Sequence, residues 1–136
     1  MNLLLGLVCD DARSNPDGKL DVHGVFHDLF APGFPARQDR MVLVLVVEWD
    51  REDHGRYAFR VDLVDPDGRA TASAEVETEV SPSPAPRPPS RTQLVSPLED
   101  IVFPVPGTYR FRVRVKGHDL DGPLLHLLEA GSHEHE

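Results

Sequence analysis

Tyr109-Arg110-Phe111-Arg112-Val113-Arg114-Val115-Lys116 alternates without a break, its odd positions apolar and its even positions basic. A side-chain period of two belongs to an extended strand with one face in a core and the other in water, and no helix sustains it. Residues 71–80 alternate in the same way, with Glu75, Glu77 and Glu79 on one side and Ala72, Ala74 and Val76 on the other. Elsewhere short Val, Leu and Phe runs are punctuated by Pro, Gly and Asp clusters, the pattern of a sandwich or barrel. These features predict an all-β sandwich of seven or eight antiparallel strands, near 2–10, 19–30, 40–49, 56–64, 69–80, 92–103, 108–116 and 123–129. A short turn near 94–100 is the one helical segment entertained.

The turns support these placements by mechanism. Asn15-Pro16-Asp17-Gly18 and Asp65-Pro66-Asp67-Gly68 each put proline where φ is already fixed and glycine where positive φ is needed, so each should reverse the chain. Pro104-Val105-Pro106-Gly107 removes two backbone donors, so one strand must stop there and another begin.

Residues 81–91 read SPSPAPRPPSR, five prolines in eleven residues. The strands that follow cannot stand alone as a hairpin or two in water. They must return to the sheets formed earlier, so one domain is expected over 1–130, with 81–91 a stiff, polyproline-like loop between two strands, crossing from one sheet to the other. Pro86-Arg87-Pro88-Pro89 contains one Pro-x-x-Pro spacing, which arises readily in any proline-rich loop. Residues 131–136 read as a flexible polar tail.

Met41 to Val47 is apolar at seven consecutive positions, whereas a strand with one wet face needs only every second one. Something should cover both sides. The cover is either the chain itself, through residues 30–35 or the proline loop, or a second copy, which makes a homodimer an expected partner.

Composition narrows the function classes. Fourteen Lys and Arg face 23 Asp and Glu, a net charge of -9 that would repel a phosphate backbone, so no nucleic-acid partner is expected. At 40% hydrophobic and 27% charged the chain is neither disordered nor membrane-embedded. The opening MNLLLGLVC has no basic residue ahead of an apolar stretch too short for an export signal, and reads as a first strand. A lone Cys9 in an apolar run suits a reducing cytoplasm and a buried structural thiol, not a nucleophile.

The acidic stripe at 75–79 and the basic stripe at 110–116 would make the molecule electrically two-faced if they lay on different sheets, and ion-pair ladders if they were neighbours. Walking the strands in hairpin order puts Asp10, Asp11 and Asp17, then Asp50, Glu52, Asp53 and His54, then His118, Asp119 and Asp121 at one end of the sandwich beside the proline loop. Calcium takes oxygens of this kind, which makes a cation site there the alternative reading, although no stretch matches a calcium-loop motif. His23, His27 and His126 lack zinc spacing, and His133 and His135 fall in the tail. No nucleophile elbow, phosphate loop or Cys-x-x-Cys is present. No catalytic, cofactor-binding or metal-binding residue is therefore assigned and no cofactor is expected; an enzyme with an unrecognised site is the third reading.

Pro106-Gly107-Thr108-Tyr109-Arg110-Phe111 resembles the entry to a late strand of immunoglobulin-like sandwiches, where the tyrosine locks a corner by bonding nearby backbone. Cys9-Asp10-Asp11, Gly18-Lys19-Leu20, Gly24-Val25-Phe26 and Phe34-Pro35-Ala36 together are similar to a family of small bacterial proteins of unknown function. The first resemblance implies an immunoglobulin-like outline; the second brings no site residue, ligand or partner. The functional expectation is a cytoplasmic, non-enzymatic interaction or scaffolding module that self-associates or binds an unknown protein partner.

Overall fold

The computed structural model describes residues 1–130; the expected tail, with His133 and His135, lies outside them. The described residues form nine strands and no helix. They are β1 (Asn2–Ser14), β2 (Leu20–Phe26), β3 (Asp28–Ala31), β4 (Ala36–Glu48), β5 (Gly55–Val64), β6 (Ala70–Val80), β7 (Arg91–Phe103), β8 (Gly107–Val115) and β9 (His118–Glu129). One sheet runs β2-β1-β4-β7 and the other β3-β9-β8-β5-β6, the second curled into a half-barrel.

Three expectations are corrected. The single strand expected at 19–30 is two, divided at His27, so the chain leaves the first sheet and joins the second within one residue. There β3 runs parallel to β9, Asp28 beside His126 and Phe30 beside Leu128, so the sheets are not wholly antiparallel. Nine strands in this order leave the immunoglobulin-like part of the expectation unconfirmed. The helical turn at 94–100 is strand: Leu94, Ser96 and Leu98 are buried alternately, and Pro97 is tolerated because β7 ends its sheet and pairs on one side.

Both Asn15 and Asp65 turns reverse the chain as expected. In each, the side-chain oxygen accepts two backbone N–H groups, from Asp17 (2.9 Å) and Lys19 (3.1 Å) in one and from Asp67 (2.9 Å) and Arg69 (2.8 Å) in the other. Gly18 and Gly68 take the positive φ, 79° and 89°.

The proline loop carries the chain from β6 in one sheet to β7 in the other. It is not extended throughout, because a turn at Ala85–Arg87 folds it back and brings the Arg87 N–H to the Pro84 carbonyl (3.1 Å). Arg51 bonds the Ser83 and Arg87 carbonyls, and the Ser83 hydroxyl bonds the Pro88 carbonyl. The loop backbone is thus tied by Arg51 to the β4–β5 connection.

The core lies between the sheets. Met41, Leu43, Leu45 and Val47 face Phe59, Phe111, Val113 and Leu125 within one buried cluster. The intervening Val42 and Val44 point outward yet are fully buried, packed with Cys9 and Ala12 beneath Leu7, Leu20 and Val22. Strand β1 serves both layers, since Val8 belongs to the inner cluster and Cys9 to the outer. The far end of the β1–β2 hairpin lies over the outer surface, where the Gln93 amide of β7 bonds the Gly18 carbonyl (3.2 Å) and Ser14 (3.2 Å). The cover over the seven-residue apolar run is therefore the hairpin. Of residues 30–35, Phe34 packs against the inner side of the run, and the outward Val46, paired with exposed Leu5, is only half-buried.

Fully buried Tyr109 locks the β7–β8 corner. Its hydroxyl donates to the Val105 carbonyl (2.7 Å) and accepts from the Val105 N–H (3.3 Å), and its ring meets Phe103 edge-on. Burial pushes the phenol pKa upward, which keeps the donating proton in place. Tyr109→Phe should lower unfolding free energy by about 1–3 kcal/mol without changing the urea m-value, because it strands both Val105 groups at a partly buried corner. An unchanged urea midpoint would show that water replaces the hydroxyl.

Candidate functional site

The acidic loops are the first place to look, and the structure divides them. Asp10 and Asp11 sit inside β1, where Asp11 pairs with Arg40 (3.4 Å). Asp17 sits in the hairpin turn over β7. Asp50, Asp53, His118 and Asp119 do come to one end, beside the proline loop, around a cleft of about 300 Å³ lined by Met1, Asp50, His118, Asp119 and Leu120. The hairpin-order walk fails because β1 and β4 are antiparallel neighbours, Asn2 beside Glu48 and Cys9 beside Val42, so the β1–β2 turn lies at the end of the sheet opposite Asp50.

At that end the carboxylates are met by ammonium groups. Lys116 bonds Asp53 and lies 3.6 Å from Asp50, while the α-amino group of Met1 lies 2.6 Å from Asp50. Lys116 reaches them from the β8–β9 turn in the left-handed conformation, φ 56°, which an L side chain adopts at a cost. Among the described residues no three His, Cys, Asp or Glu side chains gather as a metal site would require. His54 bonds the Glu52 carbonyl (3.0 Å), and His23 sits on the β2 edge opposite Asp11. His27 gives its carbonyl to the His126 N–H (2.9 Å), and His126 itself meets the Thr108 hydroxyl at 3.1 Å. Cys9 is buried, its thiol directed at the Val42 carbonyl (3.6 Å), and burial raises its pKa.

The outer face of the five-stranded sheet is more informative. The acidic stripe on β6 and the basic stripe on β8 share this sheet with β5 between them, so the molecule is not electrically two-faced. Arg56 meets Glu79 (3.7 Å), Arg60 reaches Glu75 (4.0 Å) and Asp62 (3.4 Å), and Arg114 bonds Asp119 (3.0 Å). Arg60 and Arg114 stand directly opposite each other, and each turns to a carboxylate on its far side. On β8 it is Arg114 whose charge is offset in this way, which eases the repulsion along the stripe.

Across β9 the character changes. Leu124, His126 and Leu128 succeed one another on the outward side, and Phe30 of β3 lies beside Leu128. Leu124 and Phe30 are 51% and 56% exposed, a high value for side chains of this size on a sheet face. Gly6 of β1 meets Pro123 at the edge of this strip. One half of the face is thus a charge lattice and the other half apolar.

A β-bulge lies at the boundary. Arg110 pairs with Leu124 and Arg112 with Asp121, so Gly122 and Pro123 both stand opposite Phe111. A Cβ at Gly122 would fall 2.8 Å from that of Phe111, which reserves the position for glycine. The bulge opens a hollow of about 340 Å³ lined by Arg110, Phe111, Asp121, Gly122 and Leu124. An isolated glycine within a strand pattern is the one sequence signal that could have located it.

An all-β protein whose two sheets share one core, the larger with a half-apolar outer face, is the class these features define. Residues 4–127 match a family of unknown function, DUF6941, and the chain belongs to that family. No curated protein matches the chain. No helix among the described residues is long and apolar enough to cross a membrane.

The ion pairs give the stability a defined pH dependence. The N-terminal ammonium beside Asp50 and the Arg114 guanidinium beside Asp119 hold those carboxyls below the usual range. At Asp62 desolvation works upward, but bonds from Ser73 and Arg60 leave the carboxyl net lowered. The Asp53 carboxylate raises Lys116 above its ordinary value. Depressed carboxyls stabilise fully above their unfolded pKa and lose that contribution as pH falls through the folded value; the raised lysine stabilises below its unfolded pKa and is lost as pH rises through the folded one. Urea midpoints should therefore fall between about pH 4 and pH 2, and Asp119→Asn should fall less steeply there than the wild type. Parallel curves would mean that the Arg114 pair contributes nothing.

Proposed function

We propose that this protein is a non-enzymatic interaction module that works through the apolar half of its five-stranded sheet, around Leu124. The observation that carries the reading is the division of that face: a charge lattice over β5, β6 and most of β8, and exposed leucines with a hollow along β9. Exposed apolar side chains lose their unfavourable contact with water only when something covers them, and a hollow beside them gives a partner a place to anchor. A rigid sheet holds the contact side chains in fixed positions, which limits the entropy lost on binding. The cytoplasm is the proposed location, supported by the lone, buried Cys9. The immunoglobulin-like description is kept as a proposal for the corner at Tyr109 alone.

Leu124→Asp tests the reading, because an exposed position should tolerate the change without loss of fold. Immobilised wild type and variant with equal melting temperatures should differ in what they retain from a cell lysate, with at least one protein held by the wild type and lost about tenfold or more on the variant. Identical retention by the two would remove β9 as the working surface.

A further inference from the structure

The strands that end the two sheets are β2 and β7 in one and β3 and β6 in the other. An end strand leaves one row of backbone N–H and C=O groups outside any ladder, and proteins ordinarily blunt such an edge with proline, lysine, irregular backbone or shortness. Here β7 carries Pro97 and a left-handed Asp100 (φ 53°), β2 is interrupted by Gly24 (φ 67°), and β3 is four residues long. The β6 edge has no such device: its eleven residues contain no proline, glycine or lysine, and from Ala72 to Val80 its register with β5 is unbroken. We infer that β6 is a docking edge, where an extended segment of another protein with lysine or arginine at alternate positions adds a strand to the sheet. This surface is separate from β9, since β8 and β5 lie between them.

In strand addition the backbone bonds supply affinity and the alternating side chains supply the choice of partner. Both rows of β6 side chains suit the same occupant. On the inner row Ala72, Ala74 and Val76 pack against the core cluster yet stay partly exposed, because no further strand flanks them. Small or apolar residues of an added strand complete their cover. On the outer row stand Glu75, Glu77 and Glu79. Arg60 and Arg56 of β5 reach Glu75 and Glu79 at 4.0 and 3.7 Å, but Glu77 stands opposite Ala58, which carries no charge. Among the described residues Glu77 has no ion-pair partner, and a hollow of about 300 Å³ lined by Arg56, Glu77, Thr78 and Glu79 opens beside it. A cationic side chain on the added strand pairs with Glu77 there, and opposite charges across neighbouring strands favour the pairing while like charges oppose it. The net charge of -9 attracts a basic segment at long range and repels a second copy of this chain. Beyond Val80 the edge is closed by the proline loop, where the Ser90 hydroxyl bonds the Ser81 carbonyl (2.6 Å), so the docking stretch is 72–78.

The probe is a fluorescent peptide of about nine residues in which lysine alternates with valine and threonine. Anisotropy at about 50 mM salt should show saturable binding with a Kd at or below about 100 µM. Glu77→Lys should weaken it about tenfold or more; Glu77 is exposed, and thermal melts of both proteins establish that the fold persists. The same peptide with glutamate in place of lysine should not bind. N-methylation of alternate amides separates a ladder from plain charge attraction, because only every second amide of an added strand faces β6. Methylating the set that faces β6 should weaken binding about tenfold or more, and methylating the other set should leave it within about threefold. No saturable binding, undiminished binding to Glu77→Lys, equal binding of the glutamate peptide, or equal losses from the two methylation patterns would each overturn the proposal.

Discussion

Burial of β4 on both of its faces is the constraint from which the rest of the architecture follows. Met41, Leu43, Leu45 and Val47 need a facing sheet, and the curled five-stranded sheet supplies it with Phe59, Phe111, Val113 and Leu125. Val42 and Val44 need a second cover on the other side, which the β1–β2 hairpin supplies by bending over them. Each fully buried branched side chain contributes about 1.5–3 kcal/mol, so exposing the outer pair would forfeit a sizeable share of a marginal stability. The position of β1 is set by the same need: Val8 and Cys9 are buried in succession because one serves the core and the other the outer cluster.

This arrangement also decides where the protein has surface to spare. The four-stranded sheet has its outer face partly occupied by its own hairpin. The five-stranded sheet is covered on the inside only, so its outer face must be made acceptable to water by its side chains. Over β5, β6 and β8 this is done with alternating charges whose partners lie across the strands. Over β9 it is not done: Leu124 stands in water next to a bulge. Bulges interrupt the regular ladder and re-aim the side chains around them, and here the interruption falls at the border between the charged and apolar halves.

The strands were legible because alternation is a local property, and so were the two Pro-Asp-Gly turns, whose Asn15 and Asp65 carry their own hydrogen-bond acceptors. The Tyr109 corner was legible as well, since its partner Val105 is four residues away. The break at His27 was not, because nothing in residues 19–30 distinguishes one strand from two that serve different sheets. The grouping of the acidic loops was half right: Asp50, Asp53, His118 and Asp119 meet, while Asp10, Asp11 and Asp17 lie toward the other end of the sheet because β1 runs antiparallel to β4. Lys116 was read as one more charge of a basic stripe, yet it turns away at the end of β8 to bond Asp53.

By itself the sequence determined which side of each strand is oily, where the chain reverses, and that Met41 to Val47 must be covered twice. Those follow from solvation and from the φ and ψ preferences of single residues, which neighbours several positions away can express. The tertiary structure alone decided what does the covering, which strands are neighbours, and that the β9 leucine lies beside a hollow bordered by Arg110 and Asp121. Such choices depend on contacts between residues far apart in the chain, where several strand orders satisfy the same alternation and packing selects one.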